Sequence, residues 1–221
     1  MKHTLATVTL CTGPLGLLRE YVPEAQIAHF CLFNGLSAAE IEQRYAPAAD
    51  ESVLMTHTEE GSFISLSALK VSDALQALVK KLEDQGFATI LILCAGEYNK
   101  LVAERAVLLE PYRVLPPLVN AITGGNQVGI MVAREEYLNQ QAWKWRSLAL
   151  KPYFAVASPW QASQDELIDA ALTLQERGAD VLVLDCLGYH QRHGDFLQKL
   201  LGIPVLLSYT LIAKLAAELL V

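Results

Sequence analysis

No apolar run in the 221-residue chain reaches the roughly 18 residues that a membrane span requires. No basic run is present either: 17 Lys and Arg stand against 24 Asp and Glu, giving a net charge of −7 and a pI near 5.2. Nucleic-acid binding depends on clustered Lys and Arg to neutralise phosphate, so that class of partner is excluded. Cysteine is scarce, with four residues at 11, 31, 94 and 186. None shows the C-x-x-C spacing of a zinc or dithiol redox motif, and reduced thiols are expected. There is no nucleotide-binding loop, no Ser-His-Asp arrangement and no metal-ligand cluster, so neither cofactor nor metal is expected. Met1-Lys2-His3 and the apolar stretch up to Cys11 superficially suit an export signal. No small-residue cleavage pattern precedes Cys11, and Thr, Val and Leu alternate as in a strand; a cytoplasmic protein is expected.

What is abundant is apolar sequence. The hydrophobic content of 52% and mean hydropathy of +0.28 belong, without a membrane span, to strands buried on both faces. A chain of this length buries about 70% or more of its unfolded surface as one large or two small domains. Two of the apolar runs end in cysteine: Thr89-Ile90-Leu91-Ile92-Leu93-Cys94-Ala95-Gly96 and Asp180-Val181-Leu182-Val183-Leu184-Asp185-Cys186-Leu187-Gly188. At an offset of 92 residues Cys94 falls on Cys186, Asp73 on Asp165, Leu75 on Leu167, Leu78 on Ala170, Leu82 on Leu174 and Gly86 on Gly178. In both copies an amphipathic helix closes at a glycine and a buried parallel strand follows. Each cysteine therefore stands at the C-terminal end of a parallel strand, the edge where open α/β sheets bind ligands.

In chain order, residues 4–11 read as a strand and Thr12-Gly13 as a turn that offers a hydroxyl and backbone N–H groups to an anion. Residues 26–33 read as a second buried strand containing Cys31. Ser37 to Glu40 fits a capping box for a helix over 38–45. Residues 53–58 and 62–66 flank a hairpin-like turn. The first repeat helix spans 67–85, with Leu69, Leu75, Leu78, Val79 and Leu82 as its apolar stripe. After Cys94 a polar helical stretch is expected over 100–109. The proline-rich segment 110–117 reads as a hinge, ahead of a helix over 118–123. Strands follow at 127–133, 153–157, 180–186 and 203–207, with helices at 163–177, 196–201 and 209–221 and a polar loop at 188–194. Two α/β lobes result, 1–117 with 209–221 and 118–208, with a ligand cleft between them.

Two thiols facing one another suit one task. A thiolate removes a proton from the carbon beside a carboxylate while a thiol on the opposite face returns one, which inverts the centre without a cofactor. One cysteine must then ionise below its usual pKa of about 8.5. Gly96 and Gly188 let backbone amides approach the substrate carboxylate. The alternative is that both cysteines are core residues, the commonest place for a free thiol. Other candidates at the strand ends are Glu97, Arg134, Ser158, His190 and Ser208. Arg134 suits a carboxylate clamp or a solvated arginine beside Glu135. His190, four residues after Cys186, suits an acid or a solvent-facing loop histidine.

The stretches Leu109-Glu110-Pro111-Tyr112-Arg113-Val114-Leu115-Pro116-Pro117-Leu118-Val119, Gln127-Val128-Gly129-Ile130, Val183-Leu184-Asp185-Cys186-Leu187-Gly188-Tyr189-His190-Gln191-Arg192-His193 and the tail 212–221 resemble the AroM family. That family is similar in layout to the aspartate/glutamate/hydantoin racemases, a group that includes maleate isomerases and arylmalonate decarboxylases. The resemblance implies two pseudo-symmetric flavodoxin-like lobes of mainly parallel sheet, each with a cysteine. The family gives fold more than function; taken with the cysteine pair, a cofactor-independent racemase or isomerase acting on a small carboxylate-containing molecule is expected, with Cys94 and Cys186 as the proton-transfer pair. A homodimer is the usual assembly of such folds. The chain departs from those racemases after each cysteine, where Ala95-Gly96 and Leu187-Gly188 replace the usual Asn-Thr and Thr-His or Thr-Glu. A non-catalytic carboxylate-binding or regulatory protein is the alternative that this departure favours.

Overall fold

Apolar runs and amphipathic stretches alternate along the chain, and the computed structural model turns them into strands and helices in that order. It describes residues 5–10, 16–57, 63–94, 96–98 and 101–220. In chain order these form β1 (Leu5–Thr9), α1 (Gly16–Arg19), β2 (Ile27–Cys31), α2 (Ala38–Tyr45), β3 (Val53–His57), β4 (Phe63–Ser67), α3 (Ala68–Asp84), β5 (Thr89–Ile92) and β6 (Val107–Leu109). There follow α4 (Pro111–Thr123), β7 (Val128–Val132), α5 (Leu138–Lys144), β8 (Tyr153–Val156), α6 (Gln164–Glu176), β9 (Val181–Leu184), α7 (Gln191–Leu201), β10 (Val205–Leu207) and α8 (Ser208–Glu218).

The chain divides into two units, one holding residues up to 112 except 16–18, together with 215 onward, the other 16–18 and 113–214. The first unit has a parallel sheet in the order β2-β1-β5-β6, with an antiparallel pair β3-β4 beside it in sequence. The second has a parallel sheet in the order β8-β7-β9-β10. Counted within its own sheet, each runs second, first, third, fourth strand. β5 and β9 hold the same place, and the 92-residue offset carries Thr89–Ile92 onto Val181–Leu184. The internal repeat is therefore a repeat of topology.

Each unit has its own core. In the first, Val71, Leu75, Val79 and Leu82 of α3 pack with Val8, Ile90, Ile92 and Leu66. In the second, Leu167, Ala171 and Leu174 of α6 pack with Leu182, Leu184 and Leu197. The stripe on α3 is shifted from the expected one: Val71 is buried and Leu69 faces solvent. β2, expected to be buried, is half-buried throughout because it is an edge strand with a single neighbour.

Both repeat helices end as the glycines require. Gly178 has φ +94°; its N–H donates to Gln175 O at 2.8 Å and that of Ala179 to Leu174 O at 3.1 Å. This paired closure needs a left-handed residue. Nothing lies within 4 Å of a Cβ added at Gly178, so alanine there meets only backbone strain. Gly178→Ala is expected to lower stability by about 1–2 kcal/mol, and a urea melt with unchanged slope measures it.

Three expectations are corrected. Residues 101–106 are not helical and lead into β6, which pairs with β5; the Glu83 carboxylate accepts the N–H groups of Arg105 and Ala106 and so fixes that turn. The proline-rich segment 110–117, expected as a hinge, is helical and forms the start of α4, and the division between the two units falls within it, after Tyr112. Pro111 occupies the first helical position, where no N–H is needed. Pro116 and Pro117 each remove an intrahelical bond, and the helix persists because Leu115 and Val119, one turn apart, are wholly buried. The expected loop 188–194 is shorter, because α7 begins at Gln191: the His190 N–H donates to Nδ1 of His193 at 3.0 Å, and the His193 N–H donates to His190 O at 2.9 Å.

Candidate active site

All four strands of the second sheet run parallel, so their C-terminal ends share one edge. The candidates of this unit stand just beyond those ends: Arg134 after β7, Ser158 after β8, Cys186 after β9 and Ser208 directly after β10. Cys186 is half-buried. Burial pushes its thiol up to about 12, reinforced by the Asp185 carboxylate; the backbone N–H groups of Gly188 and Leu187 and the Lys144 ammonium pull the other way. At neutral pH the sulfur carries its proton.

The glycine after this cysteine has a packing reason to be glycine. A Cβ at Gly188 would lie 2.3 Å from Cζ2 of Trp160 and 2.7 Å from Cγ of Pro159, so the β8–α6 connection lies directly on the Cys186 loop. Tyr189, buried, donates its hydroxyl to Ala157 O and ties the same two segments together. Ser158 Oγ accepts the N–H groups of Trp160 at 3.3 Å and Gln161 at 3.2 Å. It also lines an open pocket of about 300 Å³ with Arg192, His193 and Phe196. His190 is half-buried as the residue capping α7. Arg134 is half-buried and opens a single 3-10 turn, Glu135–Tyr137. Burial raises the Tyr137 hydroxyl to about 12, against the opposing charge of Arg134; Cys186 is among the groups that act on it.

Ser208, expected as a substrate contact, is wholly buried and belongs to an internal network. Its hydroxyl donates to Oδ1 of Asp185 at 2.7 Å. The Lys144 ammonium donates to both Asp185 oxygens, at 2.8 and 2.7 Å, and Nε1 of Trp145 donates to Oδ2 at 2.8 Å. Lys144, Trp145 and Asp185 were not among the sequence candidates. The signal that points to them is Asp185 itself, an ionisable residue ending an apolar strand, which requires buried partners.

In the first unit, Cys94 stands two residues past β5 as Cys186 stands two past β9. Cys94 is 6% exposed and joins the core; its sulfur lies 3.6 Å from Val8 O, a weak S–H contact. A Cβ at Gly96 would lie 2.4 Å from Cδ2 of Leu54, so the β3–β4 pair covers this turn. Glu97 is exposed. Thr12 and Gly13 lie outside the described residues. Among the described residues no group of His, Cys, Asp and Glu is arranged to hold a metal, and no helix is long and apolar enough to cross a membrane.

The family model of the AroM protein matches residues 5–220. The chain belongs to the AroM family. No curated protein matches the sequence. Among solved structures, this AroM chain is similar to an unliganded arylmalonate decarboxylase at 15% identity, over 97% of this chain and 91% of that one, with a TM-score of 0.61. It is also similar to an allantoin racemase from Klebsiella pneumoniae at 13% identity, over 97% and 86% of the two chains, with a TM-score of 0.57. At these identities the likeness is one of fold: the AroM chain has a racemase-like α/β architecture.

Proposed function

We propose that this AroM protein is a cofactor-independent carbon-acid enzyme of the racemase or isomerase type, moving the α-proton of a small carboxylate or amino acid. The observation that carries the reading is Cys186: a protonated thiol at the ligand-binding edge of a parallel sheet, with two backbone N–H groups directed at its sulfur. Proteins of similar fold that are named as a decarboxylase and a racemase support a reading in the same class. In the proposed step, Cys94 as a thiolate takes the α-proton, and the electron pair left on carbon is held by the adjacent carboxylate. The Cys186 S–H bond breaks and a new C–H bond forms on the other face. The enzyme is left with the proton on Cys94 and the charge on Cys186, ready for the reverse reaction.

A second reading is a carboxylate-binding protein without turnover. It is favoured by the burial of Cys94 within its own core and its contact with Val8 O. One experiment separates the two. Small carboxylates and amino acids are incubated with the protein in D₂O, and loss of the α-proton signal is followed by NMR. The enzyme reading expects exchange with at least one compound and a loss of about 10³-fold or more in both Cys94→Ala and Cys186→Ala, as for other proton-transfer groups acting in the transition state. Exchange retained in both variants rules it out. Thermal stabilisation by a compound that never exchanges establishes the binding reading.

A further inference from the structure

β9 is apolar from Val181 to Leu184 and then presents a carboxylate with no exposure of its side chain. Two elements converge on it. α5 ends with Lys144, and the next residue is Trp145; α8 begins with Ser208. Lys144 and Trp145 can only donate hydrogen bonds, and between them they address both oxygens of Asp185. The arrangement suits a carboxylate, which accepts at both of its oxygens. The backbone is fixed as well: the Asp185 N–H donates to Met131 O at 2.9 Å, and the Ser208 hydroxyl also lies 3.2 Å from Leu184 O. A negative charge is thereby held in place one residue from the thiol. The titratable groups that face this region are Asp185 at the end of β9, Lys144 from α5, Tyr137 from the turn after β7 and Tyr189 from the loop before α7.

We propose that Asp185 is a positioning residue that keeps Cys186 in its protonated, proton-donating form, and that Lys144, Trp145 and Ser208 exist to hold Asp185 charged and in place. A thiolate at Cys186 forms beside a fixed carboxylate, so it is short-lived and takes a proton back. The inference rests on the proposed role of Cys186 in proton transfer, but its readout, ionisation of one thiol, needs no turnover.

The test is the rate of Cys186 carbamidomethylation by iodoacetamide between pH 7 and 11, followed on the isolated peptide by mass spectrometry. Asp185→Asn is expected to speed the reaction at pH 8.5 by about tenfold or more, and to bring a bend into the profile below pH 11. The neutral pair Lys144→Met/Asp185→Leu is expected to speed it by a smaller factor, and it decides the question if Asp185→Asn does not fold. Leu197→Ala, which empties a buried apolar site in α7 of the same unit, is expected to leave the profile within twofold of the parent. Profiles of both Asp185 variants that follow the parent overturn the proposal. So does an equal acceleration in Leu197→Ala, or an acceleration uniform with pH, since either marks loosening of the unit. A shifted profile in a protein that exchanges no α-proton defeats the catalytic reading alone. An unshifted profile in an active enzyme defeats this inference alone.

Discussion

Asp185→Leu is expected to lower the unfolding free energy by about 3–5 kcal/mol, and adding Lys144→Met is expected to restore most of that loss. The reason lies in what each change leaves behind. With Asp185 gone, the Lys144 ammonium, 6% exposed, has lost both of its carboxylate contacts and keeps a charge with no partner, the costly half of a broken buried pair. Replacing the lysine as well removes that charge and fills the space with apolar atoms. The remaining deficit is the Trp145 N–H, deprived of its acceptor at a cost of about 1–3 kcal/mol, whereas the Ser208 hydroxyl keeps Leu184 O. Urea unfolding of the parent, the two single variants and the double variant gives the complete cycle. A double variant no more stable than Asp185→Leu would falsify the account.

The second large effect concerns the thiol. Cys186 in the native protein is expected to react with iodoacetamide at pH 7.5 about 10³-fold more slowly than in the urea-unfolded chain, because a thiol pushed up to about 12 holds that much less thiolate than one near 8.5. The same shift has a stability consequence. Above pH 8.5 the unfolded thiol ionises while the native one keeps its proton, so the native state binds more protons and stability falls as pH rises toward 12. Below 8.5 the contribution is fully present. A Cys186→Ala variant should show a shallower alkaline decline, and equal slopes in parent and variant would refute the shift.

The sequence shows the repeat because a buried parallel strand admits few residue types, and Thr89–Ile92 and Val181–Leu184 satisfy that demand at a constant offset. Gly86 and Gly178 were legible for a similar reason: both have positive φ, at which other residues are strained. α4 was not legible, because Pro116 and Pro117 argue against a helix locally and only the burial of Leu115 and Val119 overrides them. β6 was hidden by the charged residues Glu104 and Arg105, which belong to a turn that Glu83 holds from another element. At the site, the strand ends could be read from the chain, so the positions of Cys94, Cys186, Arg134, Ser158 and Ser208 followed. What surrounds them could not. Trp160 over Gly188 and Lys144 on Asp185 join residues dozens of positions apart, and no local pattern announces such a meeting. Ser208 illustrates the difference: its place at a strand end was readable, while its engagement with Asp185 depends on β9.

The division of the chain bears on how the protein is made. The first unit takes in residues 215 onward, whereas the second is drawn almost entirely from one uninterrupted stretch, 113–214. During synthesis the stretch that completes the first unit leaves the ribosome after the whole of the second. Domains generally fold in the order of their emergence, yet here the earlier-born unit must wait, its sheet formed but its final helical turns missing, while the later one closes. A released chain that ends at residue 214 should therefore carry a finished second unit and a first one still open to proteases and chaperones.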